Sequence, residues 1–112
     1  KNTKFCQYSN YCVRQIASAD IVICTFGVSV YEALFFRKPV ISVAHNLENA
    51  IGSKLLSKKY DMIADIGCYS DLSLDVLENA ISKFQKPSFQ NYKSIIDGDG
   101  VDRICEKIKS YV

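Results

Sequence analysis

The sequence predicts an α/β protein built as a three-layer, Rossmann-like (doubly wound) parallel sheet of about four strands. Short, uninterrupted apolar runs such as IVIC (residues 21–24) and VISVA (residues 40–44) are typical of strands that are buried on both faces. Segments with a helical period alternate with these runs, which is the pattern of a parallel sheet covered by helices. The 112 residues are enough for one domain and too few for two.

The elements can be placed in order along the chain. Strands are predicted over residues 3–7, 21–25, 40–44 and 62–64, and helices over residues 12–19, 29–37, 48–58, 72–84 and 101–108. The helix over residues 29–37 must end before Pro39, because the residue that precedes a proline avoids helical angles. In the helix over residues 48–58, we expect Ile51, Leu55 and Leu56 to face the core. Ligands of such sheets bind beyond the carboxyl ends of the strands, so function is expected in residues 26–29, in residues 45–49 and in the loop after residue 64.

Composition excludes several classes of protein. The net charge is +2, and the fourteen Lys and Arg residues are scattered, so no basic surface for nucleic acid is predicted. The apolar runs are far shorter than a membrane span. The beginning of the sequence, KNTKFCQYSN, lacks the apolar centre of a signal peptide. The chain is therefore expected to lie in the cytoplasm, with no membrane span and no nucleic acid among its partners.

No metal site or cofactor is predicted. The five cysteines form no CxxC pair, and the single histidine, His45, has no cysteine partner at a spacing that is typical of zinc sites. Cys24 and Cys105 are interpreted as small apolar residues. The DGDG sequence at residues 97–100 fails the later positions of a calcium loop. We expect Asp99 or Asp102 to support the first turn of the last helix, and Arg103 to pair with one of them.

The stretch CTFGVSVYEA (residues 24–33) joins a predicted strand to a predicted helix and has two interpretations. Ser29 and Glu32 match the capping box S-x-x-E, in which each side chain accepts a hydrogen bond from the other residue's amide, and Gly27 then only permits a tight turn. The same turn could hold a phosphate, because a helix start offers unpaired amides and a positive dipole end. The pattern is neither a Walker loop nor GxGxxG, so the residues alone leave both interpretations open.

Residues 19–50, ADIVICTFGVSVYEALFFRKPVISVAHNLENA, resemble the nucleotide-binding half of GT-B glycosyltransferase-like proteins. In that family a strand of the aDlvI type leads to G-S/T-x-x-E, then to a proline and a further strand. The tail IDGDGVDRICEKI (residues 96–108) resembles the closing segment of the same family. Among its members, the resemblance is nearest to the UDP-sugar hydrolase of pseudaminic acid synthesis and to the spore-coat polysaccharide biosynthesis proteins.

The resemblance implies that residues 1–112 are a single nucleotide-sugar-binding domain, truncated from the C-terminal part of a larger GT-B-type protein. The larger protein would hydrolyse or transfer a UDP-sugar in bacterial surface polysaccharide or nonulosonic acid synthesis, with an N-terminal GT-B domain completing the site. Phosphate binding is implied for Gly27, Val28 and Ser29, and ribose binding for Glu32. The loop that faces the sugar is implied to contain His45, Asn46, Glu48 and Asn49.

Two positions depart from the pattern of the family. Relatives commonly have two glycines where this chain has Phe26-Gly27, and a glutamine where it has Ala50. Catalysis by the isolated domain is not expected, because the other half of the site would lie in the N-terminal domain. The two departures also keep open a function of another class, a non-catalytic protein-interaction module that retains the fold without binding a nucleotide.

Overall fold

A computed structural model of the chain describes residues 3–5, 13–86 and 95–112. Three strands and five α-helices lie in these ranges, and the α/β class predicted from the sequence is confirmed. None of the described helices has the length and apolar character needed to cross a membrane. The order of elements is α1 (Val13–Ser18), β1 (Val22–Thr25), α2 (Val28–Phe35), β2 (Val40–Ala44), α3 (Leu47–Lys59), β3 (Ile63–Cys68), a single 3₁₀ turn (Tyr69–Asp71), α4 (Leu74–Phe84) and α5 (Gly100–Lys109).

The three strands form one parallel sheet in the order β1-β2-β3. Val40 of β2 lies opposite Val22 on one side and opposite Ile63 on the other. Of the strand predicted over residues 3–7, residues 3–5 are not in a strand, and residues 6 and 7 lie outside the described ranges. The sheet is therefore parallel as predicted, and within the described ranges it has three strands.

Helices cover both faces of the sheet. Successive strand residues point to opposite faces, and Val40 and Ile41, both fully buried, belong to two different apolar clusters. The cluster around Val40 includes residues of α1 and α2 and is packed by Leu56 of α3, whereas the cluster around Ile41 contains Ala80 and Phe84 of α4. This three-layer arrangement is compatible with a Rossmann-like fold.

Helix α2 ends in a Schellman motif just before Pro39, where the sequence predicts its end. The amide of Lys38 donates to the carbonyl of Ala33 at 2.9 Å, and the amide of Arg37 donates to the carbonyl of Leu34 at 3.0 Å. Arg37 has φ 58°, the left-handed conformation that this motif requires and that glycine usually supplies. A non-glycine residue in this conformation carries a backbone strain of about 1–2 kcal/mol.

Helix α3 turns a different face to the core from the one that the sequence predicts. Ile51 and Leu55 are 54% and 64% exposed, so their predicted inward orientation is wrong. Leu56 does pack against the core. The side chain that is fully buried is Ser53, and Gly52 lies against the ring of Phe26.

Strand β3 is longer than predicted, because it continues through Asp65 and Gly67 to Cys68. A charged residue and a glycine are rare in strands, and both follow the predicted strand of residues 62–64. In the structure, Asp65 accepts a hydrogen bond from Ser53 at 2.8 Å, and Gly67 takes φ 79° at an irregularity in the register with β2. Both residues are therefore accommodated without ending the strand.

Candidate functional site at the carboxyl edge of the sheet

The turn from β1 into α2 brings the predicted phosphate-binding residues to the carboxyl edge of the sheet. Gly27 is the N-cap of α2, Val28 is the first helical residue, and the cap has no side-chain hydrogen bond. The first amides of a helix have no intrahelical acceptor. In α2 the amide of Val30 donates to the carbonyl of Gly27 at 3.1 Å, so the first-turn amides left without such an acceptor are those of Val28 and Ser29.

The capping box that one of the two interpretations gives to Ser29 and Glu32 is not formed, so that interpretation is wrong. Ser29 lies one residue inside the helix, and the N-cap position belongs to Gly27. Within the described ranges, neither Ser29 nor Glu32 makes a side-chain hydrogen bond. The serine hydroxyl and the carboxylate are consequently not used for helix capping.

Glu32 is half-buried and its charge acts on Cys24, at the carboxyl end of β1. Burial raises the pKa of the Cys24 thiol, and the carboxylate of Glu32 raises it further. The thiol thus stays protonated at neutral pH, which is the wrong state for a nucleophile or a metal ligand. The carboxylate of Glu32 retains its capacity to accept hydrogen bonds.

Gly27 has open space beside it. Apart from its two chain neighbours, no atom lies within 4 Å of the position that a Cβ would occupy. Its φ of 170° is extended backbone that any residue adopts, so the tight turn does not require a glycine, contrary to the capping interpretation. Neither backbone strain nor packing within the described protein explains this glycine.

Phe26 lies where relatives in the resembling family have a further glycine, and its ring is turned towards α3. The ring carbon Cε1 is 2.6 Å from the position that a Cβ on Gly52 would occupy. Phe26 also packs against the main apolar cluster. The ring is therefore part of the packing between the β1–α2 turn and α3.

The amino terminus of α3, unlike that of α2, is closed by its own side chain. Asn46 is the N-cap, and its Oδ1 accepts from the amide of Asn49 at 2.8 Å. The Nδ2 of Asn46 donates to Nε2 of His45 at 3.2 Å, and Glu48 is exposed in the first turn. Of the loop predicted to face a sugar, His45 and Asn46 are therefore engaged with each other or with the helix.

Asn49 has a polar atom without a partner. Its Oδ1 is buried, and no described group donates a hydrogen bond to it. An unsatisfied buried acceptor costs about 1–3 kcal/mol, and each such group in a folded protein calls for an explanation. A donor from outside the described protein would remove this cost.

A buried polar chain holds α3 to the sheet one turn beyond Asn49, and the sequence analysis missed it. The Oγ of Ser53 lies 2.8 Å from Oγ of Ser42 and 2.8 Å from Oδ1 of Asp65. Ser42 and Ser53 are fully buried, and the amide of Gly67 also donates to Asp65 at 3.3 Å. The polar serine inside the apolar strand VISVA was the signal that could have indicated this contact.

Asp97, in the acidic segment before α5, forms an ion pair with Arg103. Arg103 donates to both carboxylate oxygens of Asp97, at 2.7 and 3.0 Å, so the expected pairing with Asp99 or Asp102 is wrong. The guanidinium of Arg103 lowers the pKa of Asp97 to about 2. Asp99 occupies the N-cap position of α5, but its side chain makes no capping hydrogen bond.

In the described part of the chain, no three His, Cys, Asp or Glu side chains come together as metal ligands would.

The chain was compared with models of protein families, with curated proteins and with solved structures. None of these comparisons gave a match.

Proposed function

We propose that the chain binds the nucleotide part of a UDP-sugar at the carboxyl edge of its sheet. The diphosphate would lie against the turn of Gly27, Val28 and Ser29, and Glu32 would accept hydrogen bonds from the ribose. The observation that carries the proposal is the first turn of α2, whose amides have no side-chain cap and therefore suit an anion.

The unbonded side chains on this turn support the same proposal. The hydroxyl of Ser29 and the carboxylate of Glu32 have no hydrogen-bond partner in the described ranges. The space beside Gly27 is open, which suits the close approach of a phosphate to the backbone. A ligand that carries both phosphate and hydroxyl groups would satisfy the amides, the serine and the carboxylate together.

The start of α3 supports a role for the sugar-facing loop. The orphaned Oδ1 of Asn49 needs a donor, and a sugar hydroxyl or a water bound with it would supply one. His45 and Glu48 are exposed at the same edge. Asn46 contributes through the cap that it makes with the amide of Asn49.

The larger setting is also part of the proposal. By its resemblance to the GT-B family, the chain would be the nucleotide-holding half of a UDP-sugar hydrolase or glycosyltransferase in bacterial surface polysaccharide or nonulosonic acid synthesis. An N-terminal domain would supply the rest of the site, and the cytoplasm would be the compartment. Catalysis is not assigned to any residue of this chain.

Titration of ¹⁵N-labelled protein with UDP tests the proposal. We expect the amide signals of residues 27–32 to shift in a saturable manner, with a Kd in the high micromolar to millimolar range, about −4 to −6 kcal/mol. Inorganic phosphate should shift the first-turn amides more weakly, because it cannot engage Glu32. Amide signals of residues 27–32 that do not move at about 10 mM UDP would exclude the site.

Glu32→Gln provides the specific variant, and Glu78→Gln on the exposed side of α4 is its matched control. Because Glu32 makes no capping hydrogen bond, its replacement should change the free energy of unfolding by no more than about 0.5 kcal/mol. We expect it to weaken UDP binding about tenfold and to leave phosphate binding unchanged. Equal UDP affinity for both variants would refute the role of Glu32.

The second candidate function, a non-catalytic interaction module, is favoured by the extensive apolar surface on the last helix. Val101, Ile104 and Ile108 of α5 are 59–71% exposed. A chain that binds no nucleotide in the titration but keeps its fold would support this function.

A further inference from the structure

A cavity of about 430 Å³ lies at the amino edge of the sheet, opposite the candidate nucleotide site. Its walls come from residues 20–21 before β1, residues 37–39 before β2 and residues 84–85 at the end of α4. The amide of Val22 donates to the carbonyl of Pro39 at 2.9 Å, so the first two of these segments are held side by side. A volume of this size is typical of sites for small molecules, which occupy about 300–1,000 Å³.

Three charged side chains line this cavity and are unpaired within the described ranges. Arg37 and Lys38 supply two cations, and Asp20 supplies a carboxylate. Among the described residues, none of the three side chains has a partner in an ion pair or a hydrogen bond. Both signs of charge are therefore available to a ligand in the same cavity.

The charge of Arg37 is kept at a cost to the backbone. Its left-handed conformation, with φ 58°, is one that glycine adopts without strain, and glycine is the usual residue at this position of a Schellman motif. The helix dipole favours a cation near the carboxyl terminus of α2, but at an exposed position this gain does not exceed the strain. The fold alone therefore does not explain an arginine here, whereas a ligand that binds its guanidinium would.

Apolar side chains form another part of the lining. Ile21, Pro39 and Phe84 all contribute to the cavity. Phe84 belongs to the buried cluster around Ile41, and Ile21 packs against the same cluster, so this wall is part of the folded core. A ligand with an apolar group gains when that group leaves water for such a wall.

The end of α4 makes part of the cavity favourable to a cation. Helix α4 stops at Phe84, and Gln85 is its C-cap. The carboxyl terminus of a helix carries a partial negative charge, and the carboxylate of Asp20 lines the same cavity. An ammonium group is therefore stabilised here, whereas the cations of Arg37 and Lys38 suit an anion.

We propose that this cavity binds a free α-amino acid with an apolar side chain. Its carboxylate binds Arg37 and Lys38, because a guanidinium can donate two parallel hydrogen bonds to a carboxylate. Its ammonium group binds Asp20, and its side chain lies against Pro39 and Phe84. A zwitterion matches the cavity better than a phosphate does, because a ligand with negative charge alone would be repelled by Asp20 and by the end of α4. The proposal does not depend on nucleotide binding, because no residue of the turn between β1 and α2 lines this cavity.

Titration of the ¹⁵N-labelled full chain with L-phenylalanine tests the proposal. We expect saturable shifts of the amide signals of residues 20–22, 37–38 and 84–85, with a Kd of about 1–10 mM, and no shifts for residues 27–32. The pattern separates the two proposals, because UDP binding is measured at residues 27–32. If the signals of the first three segments do not move at about 50 mM phenylalanine, the amino-acid site is excluded, whether or not UDP binds.

Arg37→Ala and Asp20→Asn each remove one charge of the site, and Arg14→Ala is the matched control. Arg14 is exposed on α1 and does not line the cavity. All three side chains are exposed, so each variant should keep the circular dichroism spectrum of the original protein. We expect Arg37→Ala and Asp20→Asn each to weaken phenylalanine binding at least about fivefold, and Arg14→Ala to leave it unchanged. Equal affinity of all four proteins would contradict the proposal.

Two blocked forms of the ligand show which charge binds which residue. N-acetylphenylalanine lacks the ammonium group, so it should bind more weakly than phenylalanine, and Asp20→Asn should not weaken it further. Phenylalanine amide lacks the carboxylate, so it should also bind more weakly, and Arg37→Ala should not weaken it further. The measurements are made at about pH 6, where an α-amino group is protonated. If either blocked form binds the original protein as tightly as phenylalanine does, the proposal is overturned.

Discussion

Because Gly52 lies against the ring of Phe26, we expect Gly52→Ala to destabilise the protein, although a glycine-to-alanine replacement inside a helix usually stabilises it. Replacement of a glycine by alanine inside a helix normally stabilises the protein by about 1 kcal/mol, and Gly52 lies in the middle of α3. Here an alanine Cβ would come within 2.6 Å of Cε1 and 3.0 Å of Cζ of Phe26. Carbon atoms prefer a separation of about 3.5–4.0 Å, so the ring or the helix must move.

The magnitude follows from two opposing contributions. Overpacking of this kind costs about 1–3 kcal/mol, and the gain in helix propensity offsets about 1 kcal/mol of that cost. We therefore expect Gly52→Ala to lower the free energy of unfolding by about 1 kcal/mol. In a Phe26→Ala background the overlap is absent, and the same substitution should raise the free energy of unfolding by about 1 kcal/mol.

Urea denaturation of the four proteins, followed by far-ultraviolet circular dichroism, measures the effect as a double-mutant cycle. The expected coupling between the two positions is about 2 kcal/mol. If Gly52→Ala is stabilising to the same extent in both backgrounds, within about 0.5 kcal/mol, Phe26 does not lie against α3 and the reasoning is refuted.

Two further substitutions test the buried polar chain and the end of α2. Ser53→Ala removes the hydroxyl between Ser42 and Asp65 and should lower the free energy of unfolding, measured by urea denaturation, by about 1–3 kcal/mol. The control, Ser57→Ala on the same helix, should lower it by less than about 0.5 kcal/mol. Equal effects of the two substitutions would contradict the stabilising role of the buried polar chain. Arg37→Gly should raise the thermal midpoint by relieving about 1 kcal/mol of strain, whereas Arg37→Ala should not, and equal midpoints would show that residue 37 is unstrained.

The sequence predicted those elements in which hydrophobicity alone decides the structure. Strand β2 matches its prediction at both ends, because five consecutive apolar or small residues precede a polar loop and follow Pro39. Helix α4 begins at Leu74, two residues later than predicted, because Ser73 is its N-cap and accepts a hydrogen bond from the amide of Val76.

The sequence failed where polar side chains found partners in distant segments. The spacing of Ile51, Leu55 and Leu56 predicts an apolar helix face, but of these only Leu56 packs against the core. Ser53 faces the sheet, because Ser42 and Asp65 satisfy its hydroxyl. Such a partnership between residues of β2, α3 and β3 has no local signature.

The candidate site shows the same limit. The motif G-V-S-V-Y-E predicted a helix start, and a helix does start there, but the capping box would make Ser29 the N-cap, two residues after the observed N-cap, Gly27. The helix therefore begins with a glycine that makes no side-chain cap. The capping interpretation had Ser29 and Glu32 hydrogen-bonded to each other's amides instead. Residues 6–12 and 87–94 lie outside the described ranges, so the predictions that fall on them are untested.

The hydroxyl–carboxylate chain of Ser42, Ser53 and Asp65 fixes the rotational setting of α3 about its own axis. Each helical residue advances by about 100°, so a shift of one position would swing Ser53 away from both partners. Asn49 lies one turn earlier on nearly the same side, and its angular position is locked by the same two contacts. A change in the sheet beneath α3 can thus redirect the side chain of Asn49 at the carboxyl edge, with no alteration to the loop that precedes the helix.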